Sequence, residues 1–154
     1  MDIESLLKLL NAHAVEYVII GASAFPVHGY LRATEDIDIL IRPERSNAER
    51  TLAALREFGY DVTDLTVDDL LTNKILFRQY VVATDIHPSV KGETFEGIWQ
   101  RRVQSALGDT PASFASLEDL IRMKEAANRP KDQEDLRVLR ELLRRRKASG
   151  DPQA

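Results

Sequence analysis

Apolar residues recur at helical spacing in some stretches of the chain and alternate strand-fashion with polar ones in others. Ile3, Leu6, Leu7, Leu9 and Leu10 share one face over residues 3–12, with Asp2 placed to cap a helix. Val15 to Ile20 is a short apolar run that predicts a buried strand, closed by Gly21. Residues 22–28 predict two helical turns stopped by Gly29, and Pro26 fits only in a first turn. From Asp36 to Ile41 the alternation is clear: Ile37, Ile39 and Ile41 take one face, Asp36, Asp38 and Leu40 the other, and Arg42-Pro43 ends the strand. Ser46 with Glu49 predicts a capping box opening a helix that runs to Phe58 before Gly59. Residues 60–64 predict a short strand, 66–72 a short helix capped by Thr66, and 74–87 strand material that is best from Tyr80 to His87.

Gly108-Asp109 predicts a hairpin turn between two short strands, and Ser116 caps a helix over 117–127 with Asp119 at the box position. Asn128-Arg129-Pro130 breaks that helix. A last one, over 131–146, carries Leu136, Leu139, Leu142 and Leu143 as its stripe. Strands mixed with helices in one compact unit predict an α/β or α+β fold. The expected organisation is a single domain over residues 1–146, with a helical tail over 115–146 and a flexible terminus over 147–154.

Composition narrows the class. The 154 residues suit one domain, and the mix of 44% hydrophobic and 30% charged residues is that of a soluble globular chain. No run approaches the ~20 apolar residues of a membrane helix, so no membrane partner is expected. The acidic opening is unlike a secretion signal, and the absence of cysteine excludes disulfides and thiolate metal sites. A cytoplasmic location is expected. The net charge of −4 argues against a general nucleic-acid coat. It hides an asymmetry, because residues 120–148 hold ten basic residues against five acidic ones while the chain before them is strongly acidic.

The chemistry concentrates where Gly21-Ala22-Ser23 precedes Asp36-Ile37-Asp38. A glycine directly after a buried strand lets backbone amides approach an anion closely. Asp36 and Asp38, two apart on a strand, project from one face about 7 Å apart. Neighbouring carboxylates repel unless a cation lies between them, and hard oxygen ligands suit Mg2+ held together with substrate phosphates. Paired ions of this kind can support in-line phosphoryl displacement. A third acid is expected from a neighbouring strand, and Asp85, late in Tyr80–His87, is the best candidate, since a lone acid in an apolar strand is costly unless paired or metal-bound.

These motifs carry a family resemblance. The glycine turn, His28-Gly29 and Arg32-Ala33-Thr34-Glu35-Asp36-Ile37-Asp38 resemble the nucleotidyltransferase superfamily of the polymerase-beta type. Ser116 to Lys124, Arg129-Pro130-Lys131-Asp132 and Asp135-Leu136 resemble its small bacterial members related to toxin–antitoxin and abortive-infection nucleotidyltransferases. The resemblance implies a small mixed sheet flanked by helices. It implies transfer of a nucleoside monophosphate from a nucleoside triphosphate to a hydroxyl of RNA, a protein or a small molecule. It assigns Gly21, Ala22 and Ser23 to the triphosphate loop; Asp36, Asp38 and Asp85 to magnesium and catalysis; and Lys124, Arg129 and Lys131 to the phosphates. A partner protein or a homodimer is expected, since a domain this small leaves little chain for acceptor binding. One departure stands out: where the family loop has Gly-Gly or Gly-Ser, this chain has Ala22, with the serine one place later.

Plainer readings stand beside these. The Asp36–Asp38 pair can be solvated acids on an edge strand, and Ser23 a helix cap. His28 reads as a packed histidine, His87 as an ordinary strand-end histidine and Arg32 as a neutraliser of the acidic pair or a surface residue. Phe95 and Trp99 read as core anchors. Arg137, Arg140, Arg144, Arg145, Arg146 and Lys147 read as a solvated helix face. The alternative function is a non-catalytic, antitoxin-like binding module of the same fold, and a two-metal phosphodiesterase is a third.

Overall fold

The computed structural model describes residues 2–150. Helix α1 (Ile3–Ala12) is capped by Asp2, whose carboxylate accepts the Ser5 amide at 2.8 Å, and it buries Leu6, Leu7 and Leu10. Strand β1 (Tyr17–Ile20) is buried at all four positions, as its unbroken apolar run requires of a strand covered on both faces. Strand β2 (Asp36–Ile41) has the predicted bounds, with Ile37, Ile39 and Ile41 in the core. Helix α2 (Arg45–Phe58) packs on α1 and ends at Gly59, which takes a left-handed φ of 108°. Then come α3 (Val67–Thr72), β3 (Ile75–Phe77), β4 (Ala83–His87), α4 (Phe95–Gln100), the hairpin β5 (Val103–Leu107) and β6 (Thr110–Phe114), α5 (Leu117–Ala127) and α6 (Gln133–Ser149).

The six strands form one mixed sheet in the order β3-β4-β2-β1-β6-β5. β1 runs antiparallel to β2, while β2–β4 and β1–β6 are parallel pairs. This is a mixed α/β fold with flanking helices and a C-terminal helix, as expected from the sequence. Among the described residues no helix is long and apolar enough to cross a membrane.

Residues 22–28 form the two expected turns, both 3-10, at Gly21–Ala24 and Pro26–His28, with Pro26 opening the second and Gly29 stopping it. Three local expectations are corrected. Ser46 does not cap α2. The cap is Glu44, and the buried Asn47 instead ties the helix start to the sheet by accepting the Glu16 amide at 2.8 Å and donating to the Glu16 and Arg42 carbonyls. Residues 60–64 are not a strand. Asp61 accepts both the amide and the hydroxyl of Thr63 and bends the chain, while Tyr60 is buried by stacking on Phe77 at 4.3 Å. Residues 80–82 are also outside the sheet: Val81 is fully exposed and β4 begins only at Ala83.

The helical tail is two helices, α5 and α6, with a 3-10 turn at Pro130–Asp132 between them. α6 continues through Lys147 to Ser149, beyond the predicted end at 146, and 151–154 lie outside the described residues. The arginine run on α6 is paired locally, Arg137 with Glu134 and both Arg144 and Arg145 with Glu141. Exposed pairs of this kind contribute little to stability and fit the solvated-face reading.

Candidate active site

Parallel pairing of β2 with β4 sets Asp38 directly opposite Asp85 and Leu40 opposite His87. All four side chains therefore share a face, and the His87 Nε2–H donates to Asp38 Oδ1 at 2.8 Å. Asp38, Asp85 and His87 each offer a ligand atom, and these atoms lie within 4.8 Å of one another, so the trio can hold a metal ion. Asp85 is buried, at 5% exposure, and its charge is met from the sheet edge by Arg78 Nη1 at 2.7 Å and Lys74 Nζ at 3.7 Å.

Gly21 is required here for two reasons. Its φ is +67°, and a Cβ built on it would lie 2.8 Å from Asp38 Oδ2. The turn that follows β1 therefore closes directly against the Asp38 carboxylate. The Ser23 hydroxyl donates to the Asp36 carbonyl at 2.9 Å, tying the glycine turn to the start of β2, and Ser23 does not line the cavity. Asp36 lines the same cavity and is exposed. Its Oδ1 accepts from the Thr34 hydroxyl at 3.1 Å, and it stands outside the three-residue cluster.

The cavity, of about 610 Å³, has two walls. The sheet wall holds Gly21, Ala22, Asp36, Asp38, Asp85 and His87; the helical wall holds Lys124, Arg129, Lys131, Asp132 and Asp135. On that second wall Lys124 Nζ, 5.6 Å from the centre of the Phe25 ring, lies 3.0 Å from Asp132 and 3.4 Å from Asp135. Arg129 grips Asp132 with two nitrogens, at 2.7 and 3.1 Å. Burial alone would raise the Asp132 carboxyl, but hydrogen bonds from Arg129 and Lys124 prevail and hold it down at about 2. Asp135 is buried too and receives the Tyr30 hydroxyl at 2.8 Å and Arg32 at 3.1 Å. Arg32 thus neutralises Asp135 and makes no ion pair with Asp36 or Asp38. Lys131 is exposed on the same wall and has no ion pair among the described residues.

The sequence-predicted site residues thus come together around one cavity, Ser23 excepted. Five participants are not legible as such in the sequence. His87 reads as a strand-end residue, although its period-two spacing from Asp85 puts both on one face. Lys74 and Arg78 give no signal, because β3, which they flank, reads as one stretch of strand material with Tyr80–His87. Asp132 and Asp135 were visible only as part of a motif, and their burial depends on the packing of α6 against α5. His28 is the packed histidine expected: its Nε2–H donates to the Ala115 carbonyl at 2.8 Å.

Over residues 1–143 the sequence matches the family described as "Nucleotidyltransferase of unknown function (DUF6036)", and the chain belongs to it. No curated protein matches the chain.

Proposed function

We propose that this nucleotidyltransferase-family chain moves a nucleoside monophosphate from a nucleoside triphosphate to an acceptor hydroxyl, with a divalent ion, Mg2+ first, as cofactor. The observation that carries the reading is the two-walled cavity. Carboxylates converge on the sheet side, and Lys124, Arg129 and Lys131 face them from the helical side. The donor set fits a divalent ion, since two carboxylates are hard oxygen ligands and the imidazole widens the choice to Mn2+ or Zn2+. Asp38, Asp85 and His87 would hold it, with Asp36 beside them, and when bound it would neutralise charge on the triphosphate.

In the reaction the acceptor oxygen forms a bond to the α-phosphorus, the bond from that phosphorus to the β-bridging oxygen breaks, and pyrophosphate leaves. Asp85 would take the acceptor proton. Backbone amides of the Gly21–Ala24 turn and Lys131 orient the triphosphate, with Lys124 and Arg129 behind them. The acceptor class, RNA, protein or small molecule, and a toxin–antitoxin setting with a partner protein rest on the resemblance of the Arg32–Asp38 and Ser116–Leu136 stretches.

A second reading has its own observations. Lys124 and Arg129 are committed to buried Asp132, Asp85 is engaged by Arg78, and Ala22 replaces the family's second loop residue. These features favour a non-catalytic binding module. Incubation with Mg2+, each labelled nucleoside triphosphate, and RNA or lysate acceptors separates the two. The transferase reading expects label transfer that falls at least ~1000-fold in the Asp38→Ala/Asp85→Ala variant. Absence of both transfer and Mg2+-dependent nucleotide binding in the wild type overturns it in favour of the module.

A further inference from the structure

The outer strand β3 places Leu76 directly opposite Asp85 in antiparallel register. Lys74 and Arg78 flank it two residues to either side, and both reach the Asp85 carboxylate, so the three side chains form a cation–apolar–cation stripe on the site face. Each is about half open to solvent: Lys74 and Arg78 at 51% and 52% by side chain, Leu76 at 53%. One cation would balance Asp85, and the strand supplies two. A divalent ion on Asp85 would take over the carboxylate and repel both, leaving two mobile cations beside the reacting centre, on the side away from the helical wall that receives the triphosphate.

We propose that Lys74 and Arg78 bind a phosphate group of the acceptor, and that Leu76 packs against the sugar or base that carries the nucleophilic hydroxyl. This rests on the transferase reading and names the acceptor class: a hydroxyl compound bearing a phosphate ester. Such a phosphate belongs either to a nucleic-acid strand or to a small phosphorylated molecule.

The test uses the full chain with Mg2+ and an α,β-non-hydrolysable nucleotide analogue. The probes are a fluorescent single-stranded RNA of about 12 nucleotides, uridine 5′-monophosphate and unphosphorylated uridine. The wild type is expected to bind at least one phosphate-bearing probe and to ignore uridine. Lys74→Gln/Arg78→Gln is expected to weaken that binding at least ~10-fold. For the strand, the dependence on log salt should also flatten by about 1.5. Lys74→Arg/Arg78→Lys should retain probe binding, and Mg2+-dependent analogue binding should not weaken in either variant. Loss on the strand alone assigns a polymeric acceptor, and loss on both phosphate probes a small one. Unchanged probe binding in the Gln variant, or no binding of either phosphate probe by a wild type that holds the analogue, overturns the proposal. Failure of the wild type to bind the analogue with Mg2+ marks the separate failure of the transferase reading.

Discussion

The two walls of the cavity hold opposite charges in opposite ways. On the sheet wall, backbone pairing sets the acids: strand register brings Asp38 beside Asp85, and their side-chain partners His87, Arg78 and Lys74 are replaceable. On the helical wall the cations are held by buried acids, Lys124 and Arg129 by Asp132, and Arg32 and Lys124 by Asp135. Asp85 is nearly as buried as Asp132, but its cations come from half-exposed side chains at the sheet edge, and a metal ion can take their place. A lysine bound to a 1% exposed aspartate cannot leave without stranding that aspartate's charge. The sheet wall is therefore built to exchange partners and the helical wall to keep them, with Lys131 as a cation that has no ion pair among the described residues.

The largest test of this contrast is stability. Asp132→Ala removes the acceptor shared by Lys124 and Arg129 and undoes the tie between α5 and the 3-10 turn before α6. It is expected to cost about 3 kcal/mol of unfolding free energy in urea titration. Lys131→Ala, on the same wall without an ion pair, is expected to change stability by less than ~0.5 kcal/mol while weakening nucleotide binding. Equal stability losses in the two variants would break the distinction between kept and free cations.

The legibility of the two walls differs for the same reason. Period-two alternation settles which side chains of one strand share a face, so Asp36, Asp38 and the rival face of Ile37, Ile39 and Ile41 were readable from residues alone. The glycine turn was readable because a strand followed by Gly21 marks a close approach. The pairing of β2 with β4 was not, since parallel partners lie far apart in sequence and the chain between them contains α2, α3 and β3. That hid the link from Asp38 to His87. On the helical wall the residues were visible as charges, but Asp132 and Asp135 look like ordinary acids at a helix start. Only packing of α6 against α5 makes them buried anchors. Residues 60–64 misled for a related reason: Tyr60 and Val62 are apolar because a loop buries them, not because a sheet does.

A smaller effect sharpens the sheet side. Gly21→Ala places a methyl group 2.8 Å from Asp38 Oδ2 at a φ of +67°. Left-handed strain costs roughly 1–2 kcal/mol. The displaced carboxylate is expected to lower Mg2+-dependent nucleotide binding at least ~10-fold, beyond what the stability loss explains. Nucleotide titration of the folded variant checks this. Unchanged affinity would mean that the turn and Asp38 are not coupled as their contact suggests.

The smallest expected effect concerns the far end of the helical wall, where α6 is pinned by His28. Its Nε2–H donates to the Ala115 carbonyl, which fixes the tautomer, and the bare Nδ1 accepts from Arg146 at 3.1 Å. Burial is the main cause of a pKa below the ordinary 6.5. The Ala115 hydrogen bond opposes it and the Arg146 charge reinforces it. A histidine depressed in the folded state contributes stability that is fully present above about 6.5 and declines as pH falls towards its folded value, because the unfolded chain takes up the proton first. Protonation at Nδ1 would also set a cation against the Arg146 guanidinium and free the last turn of α6. Lowering the pH from 7 to 5 is therefore expected to lower Tm and to speed amide exchange over residues 146–149 before the sheet opens. His28→Gln should flatten that part of the pH profile. A variant that retained the wild-type slope would place the acid sensitivity elsewhere and leave α6 held by its leucine stripe and the Asp135 contacts.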